Sequence, residues 1–559
     1  MNTQYLDLME QTLSAYSVQH VDEYFRRVQL DGLTEHGFAR LTANIGILIA
    51  NGRRPDLLDR FLAMMDFCCE TMPVVKAAND FTVKEIIFSI LALEAAGNAV
   101  PQERLAKWRQ DFSTIQPEQC YTCIAHSPED KVYNWAAFTC VSEWMRAFSG
   151  NSAVDMDFID TQIASQLQWL DENGMYQDPN NPMVYDLVPR GLFAMLLHFG
   201  YRGKYFAVLD DCLRKTGLMT LKMQSVTGEI AYGGRSNQFM HNESQLAILF
   251  EYEARRYSGE GDFALAGLFK LRAKMAKDSI AGYLAMTPIR HVKNRFSTES
   301  GYGCETYAYF DKYMITTASF LYAASLVCDD SIAPACGDSM NFYTWQTSEA
   351  FHKVFLRNRG WFAQIDSCAD PHYDASGLGR IHRRGAPSAI CLSVPCTATP
   401  NYQIDVDDAM DLAIASGIRR DGKWCFATGA EVKNTVISHG TSGDAVYAVM
   451  ESRWPDGSRT EMNCRLKADR MEIFLRGEGD LALLVPVLDF DGEVQPEQLV
   501  SEKNLEICYR GWCCHYSTPD RFADMKRIAC NRNGHYRVFA AEGKKALALK
   551  IMIYPERAV

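Results

Sequence analysis

Residues 228–243 read GEIAYGGRSNQFMHNE and run almost directly into an apolar stretch, LAILFEYEA, at 246–254. One short segment thus gathers Tyr232, Gly233, Gly234, Arg235, Asn237, Gln238, His241, Asn242 and Glu243. Core packing has no use for that density of groups that bind, donate or abstract protons. A binding loop that feeds a helix does. The same texture recurs along the first half of the chain. Asn79-Asp80 precedes the apolar run 81–97, Tyr133-Asn134-Trp135 opens 134–148, DENGMYQDPNNPMVYDLVPR (171–190) leads into 183–200, and ESGYGCETYAYFDKY (299–313) enters 305–328. Polar junctions spaced about one per helix pair suit a closed ring of helical hairpins, in which one rim collects every loop.

Working outward, apolar residues recur at helical spacing through 37–50, 55–69, 81–97, 102–113, 134–148, 157–170, 183–200, 203–219, 238–257, 261–284 and 305–328. No strict repeat motif accompanies them. Past residue 345 the pattern becomes short and alternating: 352–366, 388–394, 423–428, 445–453, 459–467, 471–476, 481–488, 505–517, 535–540 and 545–553. Turn signals separate these runs, among them Asp421-Gly422, Asp456-Gly457, Gly477-Glu478-Gly479, Asp491-Gly492 and Asn533-Gly534. The expected fold is multidomain, α then β. A helical (α/α)6-type toroid spans 1–330, a linker 331–345, and an antiparallel β-sandwich 346–559.

With 559 residues the chain exceeds what one core usually serves. A net charge of −12 argues against non-specific binding to nucleic acid or to an anionic membrane. No apolar run approaches a bilayer span, and the N-terminus lacks the basic-then-apolar pattern of a secretory signal. The 18 cysteines are scattered, so a cytoplasmic protein with reduced thiols is expected. Cys120 and Cys123 form a CxxC without a second ligand pair; neither a metal nor another cofactor is expected.

The polar junctions supply the candidate site. Asp80 and Asn134 each precede an apolar run, so each is a helix cap or a binding group. Trp135 and its neighbour Tyr133 offer sugar-stacking faces. Tyr185, Asp186 and Arg190 end the third cluster, with Asp186 and Arg190 spaced to pair on a helix surface. In the fourth, Gly233 and Gly234 let backbone approach a ligand, and Arg235 is a bidentate carboxylate or phosphate binder. Asn237 and Gln238 are polar contacts, and Asn237 can donate to an oxyanion. His241 is the side chain best tuned for proton transfer near neutrality; a helix starting near Asn237 would place it one turn on. The fifth contributes Glu305, Tyr307 and Tyr309. The later stretch HYDASGLGRIHRRGAPS (372–388) carries His372, Asp374, Arg380 and His382 at spacings that fit no metal site, and reads as a loop able to cover the cleft. There is no GxSxG elbow and no phosphate-cradling GxxxxGK[ST].

This layout resembles the toroid-plus-sandwich carbohydrate-active enzymes: the heparinase-like, alginate-lyase and chondroitin-type polysaccharide lyases and related uronic-acid glycosidases. The resemblance lies in architecture. HYDASGLGRIHRRGAP departs from the His-rich stretch the heparinase-like group carries at that point, so no single family is assigned. It implies β-elimination at a uronate. Arg235, Asn237 or Asn134 would neutralise the carboxylate, His241 or Tyr185 would be the base, and Tyr307 or Tyr309 the acid. The alternative is an exo-acting, β-glucuronidase-like hydrolase that draws two carboxylic acids from Asp80, Asp186, Glu243 and Glu305. A third reading is a non-catalytic sugar-binding or scaffold protein. The expected partner is an oligosaccharide with a carboxylate sugar, and self-association is left open.

Overall fold

The computed structural model describes residues 3–405 and 410–556. Among these, six helices form a closed inner ring: Gly37–Ala50, Val83–Ala96, Trp135–Phe148, Met183–His198, His241–Gly259 and Phe310–Val327. Each packs on the next, and the last packs back on the first. Their composition explains their place. Gly37–Ala50 is buried at every position from Gly37 to Ile49; it is apolar but for Arg40, Thr42 and Asn44, and so largely apolar a helix has to be enclosed. Outer helices return the chain between them and are one-sided. Gln102–Ser113 buries only the stripe Leu105, Trp108 and Phe112.

The chain then builds two antiparallel sheets. Strands Phe342–Gln346, Lys353–Asn358, Trp361–Asp366 and Gly377–Arg383 lie in sequence order in a four-stranded sheet. Its two faces serve different cores. Phe355 and Phe362 join the core of the toroid, whereas Val354, Leu356 and Ala363 face the second sheet. Strands covered on both sides read as continuous apolar runs rather than alternating ones. The second sheet has eleven strands, with the long pair Met471–Phe490 and Gly534–Pro555 at its centre.

Several boundaries differ from the sequence reading. The first strand begins at Phe342, inside the stretch read as linker, because Phe342–Gln346 pairs with Val354–Asn358. Residues 352–366 are a hairpin, not one strand. Residues 388–394 hold a short 3-10 turn, Ser388–Ile390, instead of a strand. The presumed covering loop 372–388 contains strand Gly377–Arg383, where Arg380 and His382 are buried in pairing with Gln364 and Phe362. Gly477-Glu478-Gly479 is not a hairpin turn: the strand continues through it with a register shift between Arg476 and Asp480. Cys508 and Cys513 are joined by a disulfide across neighbouring strands, which corrects the all-thiol expectation; the other sixteen cysteines form none. No helix among the described residues is long and apolar enough to cross a membrane.

Candidate active site

A cavity of about 330 Å3 opens at the end of the ring where the inner helices begin. All six contribute residues from their first turns or the segment just before. His36 and Arg40 come from the first helix, Ala78 and Phe81 from the approach to the second, and Asn134, Trp135 and Phe138 from the third. Tyr185 and Val188 come from the fourth, His241 and Gln245 from the fifth, and Tyr307, Lys312 and Tyr313 from the sixth. In a ring of hairpins the inner helices run in parallel, so their amino ends share one rim. Each such end carries partial positive charge, which favours an anionic ligand. Arg40 and Lys312 add formal positive charge. No Asp or Glu among the described residues lines the cavity.

Three hydroxyls converge beside it. Tyr185, Tyr307 and Tyr313 lie 3.1, 3.0 and 2.9 Å from the Ser236 Oγ. Burial, reinforced by Tyr185 and Glu305, lifts the Tyr307 hydroxyl far above the usual phenol range, and burial does the same to Tyr313. Both therefore hold their protons at neutral pH. The Arg235 guanidinium stacks on the Tyr185 ring, 4.4 Å from its centroid.

His241 is the first residue of its helix rather than one turn into it, because the helix starts at His241 and not near Asn237. Burial, then the charges of Arg40, Lys293 and His291, push its imidazole down to about 3, so it is neutral. Its Nε2 lies 3.2 Å from the Asn242 amide nitrogen. The buried Nδ1 of His241, Nδ1 of His36 and Oε1 of Gln245 have no hydrogen-bond partner in the protein. All three belong to residues that line the cavity, so they are open to a polar ligand there.

Of the residues singled out in the sequence, Asn134, Trp135, Tyr185, His241 and Tyr307 line this cavity. Asn134 donates to Asp178 at 2.8 Å, which fixes its amide at the rim. Arg235 lies immediately behind Tyr185 and is committed to Asp178 and to the Pro179 carbonyl. Glu305 also sits behind the wall, where it accepts from the Ser236 N–H at 2.6 Å.

The others serve the framework. Asp80 accepts from the Thr122 and Cys123 amides at 2.9 Å and from Thr139, tying a loop to the ring. Asp186 and Arg190 do pair, but fully buried instead of on a helix surface, and Asp186 also accepts from the Tyr176 N–H. Glu243 is bound by Lys293 at 2.8 Å. The Asn237 amide donates to the Ala231 carbonyl at 3.3 Å and accepts from Gln238 at 2.7 Å. Tyr309 precedes the last inner helix, is 42% exposed, and is not among the residues that line the cavity. The two glycines approach protein, not ligand. At Gly234 (φ 73°) a Cβ would meet Pro182 at 2.7 Å, and at Gly233 it would meet the Lys353 side chain at 2.6 Å.

The β-domain positions this loop. Gln364 pairs with both backbone groups of Tyr232 at 3.0 and 2.8 Å. Asp374 accepts from the Gly234 N–H at 2.6 Å, and Arg380 donates to the Ile230 carbonyl at 2.6 Å. Sequence reasoning missed Ser236, Gln245, His36 and Arg40. Arg40 left a trace, as the lone charge inside the apolar run GFARLTANIGILIA.

No family model matches this sequence, and no curated protein sequence matches it. Solved structures share its fold, and polysaccharide lyases are among them. The chondroitin AC lyase of Streptomyces coelicolor A3, solved with chondroitin sulphate, is 10% identical at a TM-score of 0.50, over 100% of this chain and 83% of its own. A Paenibacillus xanthan lyase is 9% identical at 0.50, over 93% of this chain; the match spans about half of that enzyme, 53%. Heparinase III is 8% identical at 0.49, over 90% and 74%. The helical toroid followed by antiparallel sheets is the architecture it shares with the chondroitin and xanthan lyases.

Proposed function

We propose that the protein is a carbohydrate lyase that cleaves uronate-containing oligosaccharides by β-elimination. The observation that carries this reading is the make-up of the cavity. It gathers tyrosine hydroxyls, an Asn amide and a neutral imidazole under six helix amino ends, and among the described residues no carboxylate lines it. A glycosidase needs two carboxyl groups about 5–10 Å apart across the bond. Asp80, Asp186, Glu243 and Glu305 are all held by framework partners.

Elimination asks for what is present. The substrate carboxylate would sit among Asn134, His241 and the helix amino ends, near Arg40 and Lys312. Neutralising it stabilises the enolate-like charge that develops as the C5 proton leaves, which lowers the barrier rather than just tightening binding. Tyr185, with Arg235 on its ring, takes the C5 proton. Tyr307, protonated at neutral pH, gives its proton to the departing oxygen on C4. The C5–H and C4–O bonds break, a C4–C5 double bond forms, and no water is consumed. Phe81 and Trp135, edge to face at 4.6 Å, supply the aromatic surface that sugar rings pack against.

A matched substrate pair tests the reading: a uronate oligosaccharide and its carboxyl-reduced counterpart. The expected result is an ultraviolet-absorbing unsaturated product from the first and none from the second. Equal cleavage of both would overturn it.

A further inference from the structure

Ser236 is the hub of the tyrosine cluster. A serine hydroxyl has one proton to give and two lone pairs to receive. Three tyrosine hydroxyls lie within 2.9–3.1 Å of it. Two of them can donate to Ser236, and the third must receive its proton. Burial raises the Tyr307 and Tyr313 hydroxyls, which suits these two to donate. Of the three, Tyr185 is the one with a guanidinium stacked on its ring, which suits it to receive the Ser236 proton.

The backbone supports a dedicated role. Ser236 adopts φ 56°, a left-handed conformation that favours glycine. It is held there by Glu305, which accepts its N–H at 2.6 Å, and by Asn242, which donates to its carbonyl at 3.1 Å. A hydroxyl-bearing residue is thus fixed in a conformation that a residue without a side chain would adopt more easily.

We propose that Ser236 is a positioning residue that sets the proton pattern of the site: it receives from Tyr307 and Tyr313, donates to Tyr185, and so makes Tyr185 the base. Its catalytic consequence rests on the elimination reading above. After one turnover Tyr185 has gained the C5 proton and Tyr307 has lost its own to the leaving oxygen. Tyr185 then gives a proton to the Ser236 Oγ as Ser236 passes its proton to the Tyr307 oxygen. Both tyrosines return to their starting states, with no proton gained or lost and no outside reactant.

The test uses the full chain and needs no substrate. Tyrosinate absorbance is titrated in the wild type and in Tyr185→Phe, and the difference isolates Tyr185. The pair is repeated with Ser236→Gly, which removes the hydroxyl while suiting the left-handed backbone, and with Ser236→Ala. A hydrogen bond to a charged group is lost, so the Tyr185 signal is expected to move up by about 1–2 pH units in both backgrounds. An unmoved signal would overturn the assignment, whatever the protein cleaves. With a uronate substrate, the acid limb of kcat/KM is expected to move by the same amount. A limb that stays in place while the rate falls would reduce Ser236 to a packing residue.

Discussion

Arg532, on the β-domain, grips Glu305 of the toroid through both guanidinium nitrogens, at 3.0 and 2.7 Å. The pair is almost fully buried, with each side chain 2% exposed. Glu305 in turn accepts the Ser236 N–H, so the second domain sets the floor of a site whose walls belong to the first. Removing one partner of a buried pair leaves a charge without compensation, which costs about 3–5 kcal/mol. Arg532→Leu is expected to lose that much in chemical denaturation and to lose activity with it. A change under about 1 kcal/mol would show that the domains are independent at this point.

Tyr185→Phe and Tyr307→Phe each remove one oxygen next to the cavity and keep the ring. Loss of a proton-transfer group lowers turnover by about 10²–10⁴-fold. Each variant is expected to show that loss in product absorbance, with unchanged circular dichroism. The double variant is expected to be little worse than either single one, since the two act in one cycle.

Asn134→Ala separates carboxylate recognition from folding. Asp178 loses one hydrogen bond but keeps Arg235, so stability is expected to fall by only about 1 kcal/mol. Turnover on a uronate substrate is expected to fall by about 10²–10³-fold, the scale of one lost donor to a developing anion. Steady-state kinetics beside thermal unfolding distinguish the two.

Acid should unfold the protein through its buried histidines. Burial pushes His241 and His382 down to about 3, below the value of about 6.5 they regain when unfolded. Between pH 6.5 and 3 the unfolded chain therefore binds protons that the folded chain refuses, and stability drops as pH falls. Each histidine contributes up to about 1.4 kcal/mol per pH unit. Asp374 works the other way. Burial raises it to about 7, so its contribution is full below its unfolded value near 4 and is lost as pH rises through 7. His241→Gln is expected to flatten the acid limb of stability by one proton, and Asp374→Asn to steepen it between pH 4 and 7.

The ring was readable because its helices are long, strongly apolar and interrupted by polar junctions. Gln102–Ser113 falls where the spacing puts it. Sheet boundaries were less so: Met471–Phe490 looks like two strands because Gly477 and Gly479 mark a register shift that imitates a turn. In the site, Asn134, Trp135, Tyr185, His241 and Tyr307 stood out because they sit just before or within the opening turns of apolar runs. The carboxylates at the same junctions looked alike on paper, yet Asp186 and Glu243 are bound to buried cations. Spacing does not reveal a partner at Lys293, fifty residues on. Ser236 gave no signal, since its role comes from three tyrosines brought in from two other segments.

The most direct measurement is a digest of uronate oligosaccharides in heavy-oxygen water, followed by ultraviolet absorbance and mass spectrometry of the products. β-Elimination at the toroid cavity is expected to give one unsaturated sugar end per cleavage and no heavy oxygen in either fragment. Saturated products that carry one heavy oxygen per cleaved bond would contradict it and would return the chain to hydrolysis.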